Sequence, residues 1–442
     1  MALSFREWLK NVAKVEKAIK INFKTTEVVR PALQYLFAIK STLKTPVILH
    51  ANIWRSPDSY EQPVNARTFV DEASKRFPDA TLSVGWTETV YPRLLSADQN
   101  RYSWRTVLDM LEYTYDKSQP IMFSVRASLA DNSFDELLWL LGVRESFSLH
   151  VWSNDNDHIS DWRGLVALRT LPKTSSNRIV YDLTAAHTRK LKDKTEELEQ
   201  EVSIPPTVWE PNRWKPVPFL NPKPVLSTII MSDRCPAFVG WPTTFLLSER
   251  PPEAAAEPHQ LSGKVLFVPK RNFDDYYHLQ ETGLSIFLLH PRSILDIPSP
   301  KIRGGIHIFI GYNGRIFIEN RDHKIYNRRT FNSDFLPKAV SQMAKHNCYG
   351  FTVTDRNDEI ELGVYVAQCW ANRHKWPLRS WYRNLKLKVP ATKKQRHFLV
   401  QKAGDQTLDL LVQDLSHTSA ASALKLSLYL VVLMAFNLLL HT

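Results

Sequence analysis

Strand and helix patterns alternate along the first 200 residues, and that alternation limits the fold more than any other feature of the chain. Strand-like runs stand at AIKINF (18–23), PVILHANIW (46–54), ATLSVGW (80–86), IMFSVRA (121–127), FSLHVW (147–152) and RIVYDL (178–183). Helical patterns fall between them at 26–39, 64–76, 103–116, 132–142 and 160–169, and a highly charged one follows at 186–201. Parallel strands need a crossover between them, and a helix of this length supplies it. Spacings of roughly 30 residues fit one strand plus one helix.

The strands also alternate in polarity. Ile21, Phe23, Leu49, Ile53, Leu82, Val84, Trp86, Phe123, Val125, Phe147, Leu149, Val151, Ile179 and Tyr181 share one phase. Lys20, Asn22, Lys24, His50, Asn52, Ser83, Thr87, Ser124, Arg126, Ser148, His150, Trp152 and Asp182 share the other. Successive strand side chains point to opposite faces, so one face is apolar and one polar. A flat sheet covered by helices on both sides would be apolar on both. The pattern therefore predicts a (β/α) TIM-type barrel with helices outside only and a polar mouth. Lys20, Asn22, Lys24, His50, Asn52, Arg126, His150, Trp152 and Asp182 are its candidate ligand-binding residues. About six strand–helix units are present where this architecture has eight. The chain opens inside a helical segment, SFREWLKNVAKVEKA, so the expectation is an incomplete barrel lacking a front section.

Residues 202–222, SIPPTVWEPNRWKPVPFLNPK, read as a Pro-rich linker between a partial barrel (1–201) and a second domain (223–415). KVLFVP, LSIFLLH, GIHIFI, RIFIEN, EIELGVYVA, NLKLKV, HFLVQ and TLDLLVQ are short strand patterns, and Asn313-Gly314 is a hairpin signal. They predict an all-β, sandwich-like domain with one helix near 335–346 and a loop at 249–260. His290, His307 and His323 are far apart in sequence and read as structural, with no catalytic constellation among them.

Lys and Arg outnumber Asp and Glu by 57 to 45, a formal charge of +12. The excess is scattered, its densest stretches (372–388 and 391–397) match no nucleic-acid motif, and a solvated basic face is the expectation. Of three cysteines, Cys348 and Cys369 are the preferred pair if the chain is secreted, and three buried thiols are the other reading. No metal-ligand spacing is present, and no cofactor is expected. Residues 416–442 combine small residues with an apolar run from Leu426 to Leu440. Two readings stay open for this tail: a GPI signal, with attachment at Ser419, Ala420 or Ser422, or a tail anchor. The N-terminus carries no signal peptide in this sequence.

HANIWRSP, FPDATLSVGWT, YSWRTVLDMLEY, QPIMFSVRASL, LLWLL and FSLHVWSNDND, in that order, resemble the menorin family. The likeness covers most of residues 4–185 and, less specifically, 223–415. It implies a barrel related to glycerophosphodiester phosphodiesterases, whose acid–base His pair and first metal-binding carboxylates come from strands before Ile19. It also implies a KLDFK-like and an NADI-like strand. Here these read KINFK and HANI, so Asn22 and Asn52 stand where the family usually has Asp. A divalent cation needs anionic oxygen ligands, and an amide carbonyl supplies none of the charge. The resemblance implies an extracellular cue attached to a membrane, acting in adhesion or in neurite and dendrite patterning with an L1-type adhesion molecule. The expected function is a non-catalytic interaction protein with no catalytic residue of its own in this chain. The alternative is a metal-dependent phosphodiesterase. In it Lys20, Lys24 and Arg126 would neutralise the substrate phosphate, and Asp182 would orient a partner.

Overall fold

Six strands in the N-terminal half pair in strict chain order: β1 (Ile19–Phe23), β2 (Val47–Trp54), β3 (Thr81–Trp86), β4 (Ile121–Arg126), β5 (Phe147–Trp152) and β6 (Ile179–Asp182). Every pairing is parallel, and the sheet curls into a half-barrel. The computed structural model describes residues 4–12, 17–56, 59–87, 100–202, 204, 206–219, 228–249, 258–270, 282–290, 305–312, 314–321, 327–330, 348–367, 369, 382–392 and 395–419.

Helices fill the connections: α1 (Phe5–Val12), α2 (Val29–Ala38), α3 (Ala66–Arg76), α4 (Trp104–Thr114), α5 (Ala127–Ala130), α6 (Phe134–Val143), α7 (Arg163–Arg169), α8 (Lys173–Ser176) and α9 (Ala185–Leu198). Their starts follow the capping residues. Asn65 Oδ1 accepts the Thr68 amide at 2.9 Å, and the Ser103 and Thr184 hydroxyls do the same for Thr106 and His187, each at 3.3 Å. The apolar strand phase forms the core with these helices. Ile21, Phe23, Leu49, Leu82, Val84, Phe123, Val125, Phe147, Leu149 and Val151 are buried, as are Leu33 and Leu36 of α2 and Phe69 and Val70 of α3. Phe23 meets Phe69 at 5.5 Å between ring centres, and Phe123 meets Phe147 edge-on at 5.2 Å.

Loops beyond the strand ends are fixed by buried acids. Asp131 Oδ1 accepts the amides of Gly164 and Leu165, and its Oδ2 accepts those of Asp161 and Trp162, at 2.9–3.3 Å. The orphan amides of the α7 N-terminus thus find a carboxylate from a neighbouring loop. A Cβ at Gly164 would lie 1.9 Å from the Asp131 carbonyl oxygen, so no other residue fits there without backbone movement.

The chain divides into two units, Met1–Pro205 and Pro206–Thr442. The second is antiparallel throughout its described residues. Its strands are β7 (Trp214–Pro218), β8 (Thr228–Met231), β9 (Pro236–Val239), β10 (Thr244–Ser248), β11 (His259–Pro269), β12 (Gly283–Leu289), β13 (Ile306–Gly311), β14 (Ile316–Asn320), β15 (Asn327–Thr330), β16 (Cys348–Asp355), β17 (Glu359–Val366), β18 (Tyr382–Lys388), β19 (His397–Ala403) and β20 (Leu408–Ser419). They form two seven-stranded sheets, ordered β15-β14-β13-β12-β19-β10-β7 and β18-β17-β16-β11-β20-β9-β8. Alternate residues of both sheets, among them Leu284, Ile286, Ile308 and Val400 of one and Val265, Phe351, Leu362 and Leu410 of the other, share one buried cluster.

Three expectations change. The Pro-rich stretch 202–222 is more than a linker, because Trp214–Pro218 pairs with Thr244–Ser248; prolines at 216 and 218 fit an edge strand. The stretch 249–260 is not wholly loop, because β11 starts at His259. There the backbone pairs with Asp355 on one side and Ser419 on the other. Strands β8, β9, β10, β15 and β16 had no counterpart in the sequence reading; β8, β9 and β15 have only four residues each, too short for alternation to register. The Gly314 turn closes the β13–β14 hairpin, with φ +80° and its amide bonded to Gly311 O at 2.9 Å. The helix expected near 335–346, His323 and residues 420–442 lie outside the described residues.

Candidate functional site

The parallel register converts the polar strand phase into rows across the concave sheet face. Asn22, His50 and Ser83 lie side by side on β1, β2 and β3. One step further along, Asn52, Gly85, Ser124 and His150 form the next row, and Arg126, Trp152 and Asp182 the last. This brings together most of the residues expected at a barrel mouth. Lys20, Asn22, Lys24 and Asp182 are exposed, Asn52 and Trp152 half-buried, and His50, Arg126 and His150 buried.

Two hydrogen-bonded histidine groups occupy the face. His50 Nδ1 bonds Ser83 Oγ at 2.9 Å, and Asn52 bonds the same imidazole. Asn52 fits because position 85 is glycine: a Cβ there would lie 2.8 Å from its Oδ1. In the second group His150 Nδ1 bonds Ser124 Oγ at 3.0 Å, and His150 Nε2 faces Asp182 Oδ2 at 3.3 Å. Burial, with Lys20, His150 and Lys24 nearby, pushes the His50 imidazole down to about 3. Burial and Lys20 lower His150 as well, against an opposing pull from Asp182. Both rings are therefore neutral near pH 7, flanked by ammonium groups. The face can receive an anion at Lys20 and Lys24 and offer neutral donors and acceptors beside it.

Arg126 does not join this cationic pair. Its Nε donates to Asp157 Oδ1 at 2.9 Å, its Nη2 donates to the same oxygen, and its guanidinium sits 5.5 Å from the Trp152 ring centre. Asp157 is fully buried and also accepts the Asn154 amide at 3.1 Å. The pair shapes the loop after β5, and the partner acid is one that strand alternation could not point to. A further group missed in sequence is His187, whose Nδ1 bonds Ser153 Oγ at 2.9 Å just beyond β5 and β6. Ser153, the first residue past the end of β5, was the available signal.

A divalent cation does not fit this donor set. Hard cations take several anionic oxygens, and among the described residues the face supplies one carboxylate, Asp182, beside imidazoles, hydroxyls and the amides of Asn22 and Asn52. No group of three or more His, Cys, Asp or Glu converges among the described residues. In the second unit Cys348 and Cys369 form a disulfide with Cα atoms 6.1 Å apart, and Cys235 is buried and not part of that bridge.

The family model described as Menorin N-terminal domain matches residues 1–188, and that described as Menorin C-terminal domain matches 214–417. The chain belongs to the menorin family. It is 38% identical over 157 residues to Protein FAM151B of Homo sapiens, a match covering 36% of this menorin and 56% of that protein. The chain thus spans just over half the length of this relative. Among solved structures, a legume lectin-like domain from Entamoeba histolytica is 10% identical, with a TM-score of 0.31 over 49% of this chain and 99% of that one. Basic winged bean lectin is 8% identical, with a TM-score of 0.29 over 47% and 94%. Scores this low carry no argument about what the menorin binds.

Proposed function

We propose that this menorin is an extracellular, membrane-attached interaction protein whose half-barrel is non-catalytic, acting as a cue in cell adhesion or neurite and dendrite patterning. Its partner on this reading is a cell-surface protein of the L1 adhesion type. The observation that carries the proposal is the make-up of the half-barrel face: two lysines and two neutral histidines, with asparagine at positions 22 and 52 where charge would be needed to hold a metal. Phosphodiester cleavage by a metal requires that the metal be held and the leaving oxygen protonated, and this face favours neither. We read the half-barrel as part of a TIM-type barrel and the two antiparallel sheets as a sandwich. The Cys348–Cys369 disulfide supports passage through an oxidising compartment. Membrane attachment is assigned to the C-terminal tail. No described helix is long and apolar enough to cross a membrane.

The test is a turnover assay on the full chain with a glycerophosphodiester and Mg²⁺, Ca²⁺, Mn²⁺ or Zn²⁺, run beside surface labelling of tagged protein on cells. The expected result is no hydrolysis with any metal, with protein accessible at the cell surface and binding to cells that display the L1-type ectodomain. Metal-dependent turnover lost in Asp182→Ala would replace the proposal with the phosphodiesterase reading.

A further inference from the structure

The outer face of the first antiparallel sheet carries an arrangement unrelated to the half-barrel. Leu284, Ile286 and Leu288 of β12 point into the shared core, so Ser285, Phe287 and Leu289 point to the other face. His307 of β13 and Glu319 of β14 lie on the same face and pair directly across the ladder. Ser285 sits diagonally from His307, whose direct partner on β12 is Phe287. Ser285 Oγ bonds His307 Nε2 at 3.0 Å, and His307 Nδ1 bonds Glu319 Oε1 at 3.0 Å.

The atoms matter. Nucleophilic triads are recognised by roles: a hydroxyl on one imidazole nitrogen, a carboxylate on the other. Here the serine is on Nε2 and the acid on Nδ1. The acid is ionised, because hydrogen bonds from His307 and Arg321 outweigh burial and hold Glu319 down at about 2. Arg321 Nε meets Glu319 Oε1 at 2.7 Å. The imidazole is fixed by Phe287, stacked on it at 4.6 Å with planes 9° apart, and by the edge of Phe317 at 5.3 Å. Ser285, His307 and Glu319 are all buried, so the hydrogen bonds that link them form in a low-dielectric setting that strengthens them. Phe245, Phe287, Leu289 and Leu399 form an apolar cluster on the same face.

We propose that Ser285, His307 and Glu319 form a nucleophilic site for an ester with an apolar acyl group, with Ser285 as the acyl acceptor. Ser285 Oγ forms a bond to the acyl carbon, and its proton passes to His307 Nε2. The ester C–O bond then breaks, and the leaving alkoxide takes that proton. Water then gives a proton to His307 Nε2 as its oxygen bonds to the acyl carbon, the acyl–Oγ bond breaks, Ser285 Oγ takes that proton back, and the acyl group leaves as the free acid. Glu319 is the positioning residue: it holds the His307 Nδ1–H and balances the imidazolium. The Phe245–Phe287–Leu399 cluster receives the acyl chain.

The experiment uses the full chain and a small probe, diisopropyl fluorophosphate, followed by peptide mass mapping. Attack by Ser285 on phosphorus expels fluoride, and the hydroxyl proton leaves through His307. The expected result is an adduct on Ser285 in folded protein and none after heat denaturation. His307→Gln should slow labelling by at least about 100-fold, in the range of general-base catalysis. Glu319→Gln should slow it by about tenfold or more while Glu319→Asp recovers most of the rate, a rescue that a purely structural role would not produce. A wild-type chain that melts cooperatively yet gives no Ser285 adduct overturns the proposal. So does labelling that is unchanged in His307→Gln or Glu319→Gln.

Discussion

The two units both set histidines beside serines on a sheet face, but they use carboxylates in opposite ways. In the half-barrel the buried acids Asp131 and Asp157 sit in loops, accepting backbone amides and a guanidinium. Among the described residues its concave face is left with lysines, neutral imidazoles and one exposed acid, Asp182. In the antiparallel unit the buried acid Glu319 lies on the sheet face itself, bonded to the imidazole. The contrast teaches that a histidine's role follows from where its nearest carboxylate is used. His50 is held neutral by burial and cations, whereas His307 is held in place by an anion.

The largest expected effect tests whether the half-barrel acids are architectural. Asp131→Ala leaves four amide contacts without an acceptor, and should lower unfolding free energy by about 4 kcal/mol in urea titrations. Asp157→Asn leaves Arg126 buried without its counter-charge and should cost about 3 kcal/mol in the same assay. Glu319→Gln should cost less, about 1–2 kcal/mol, since Arg321 is more than a third exposed. If Glu319→Gln proves the more destabilising change, the contrast between the units fails.

Titration sharpens the comparison within the half-barrel. His50 is pushed down to about 3 from 6.5, so its contribution to stability is complete above pH 6.5 and lost as pH falls toward 3. Glu136 of α6, fully buried beside Arg101, is raised from 4.5 to about 7 by burial. Its contribution is complete below pH 4.5 and lost as pH rises through 7. Each group changes stability by about 1.4 kcal/mol per pH unit inside its window, with opposite sign. Between pH 4.5 and 6.5 the two offset one another. Glu136→Gln should therefore give stability that rises with pH over that range, and His50→Gln stability that falls, both read from urea midpoints at three pH values. Parallel slopes in the two variants would contradict the opposed assignments.

The smallest effect is Ser83→Ala, which removes one buried hydrogen bond to His50 and should cost about 1 kcal/mol by thermal melt. A cost near zero would mean that water replaces the hydroxyl without loss.

Much of the half-barrel was legible in the sequence. Strand alternation located all six strands to within a residue or so, because each buries one face against helices and a slip would expose Phe123 or Val151. The same alternation selected Lys20, Asn22, His50, Asn52, His150 and Asp182, which the register then aligned. It misjudged Arg126, because whether a cation faces a cavity or a loop acid depends on Asp157, an acid in a loop rather than on a strand. In the second unit LSIFLLH, IHIFI and IFIEN each hold a single polar residue on the outward phase. That was the signal for Ser285, His307 and Glu319. Sequence separation hid it, since only antiparallel pairing of β12, β13 and β14 sets them side by side.

The sequence by itself determined which residues lie on which face, where helices start, and that Asn22 and Asn52 carry no charge. These follow from local stereochemistry and residue type. Only the tertiary structure decided which polar groups meet. Register across strands chose Ser83 for His50, Asp182 for His150 and Glu319 for His307. Burial and neighbouring charge, which no local pattern encodes, then set the protonation of His50 and Glu136.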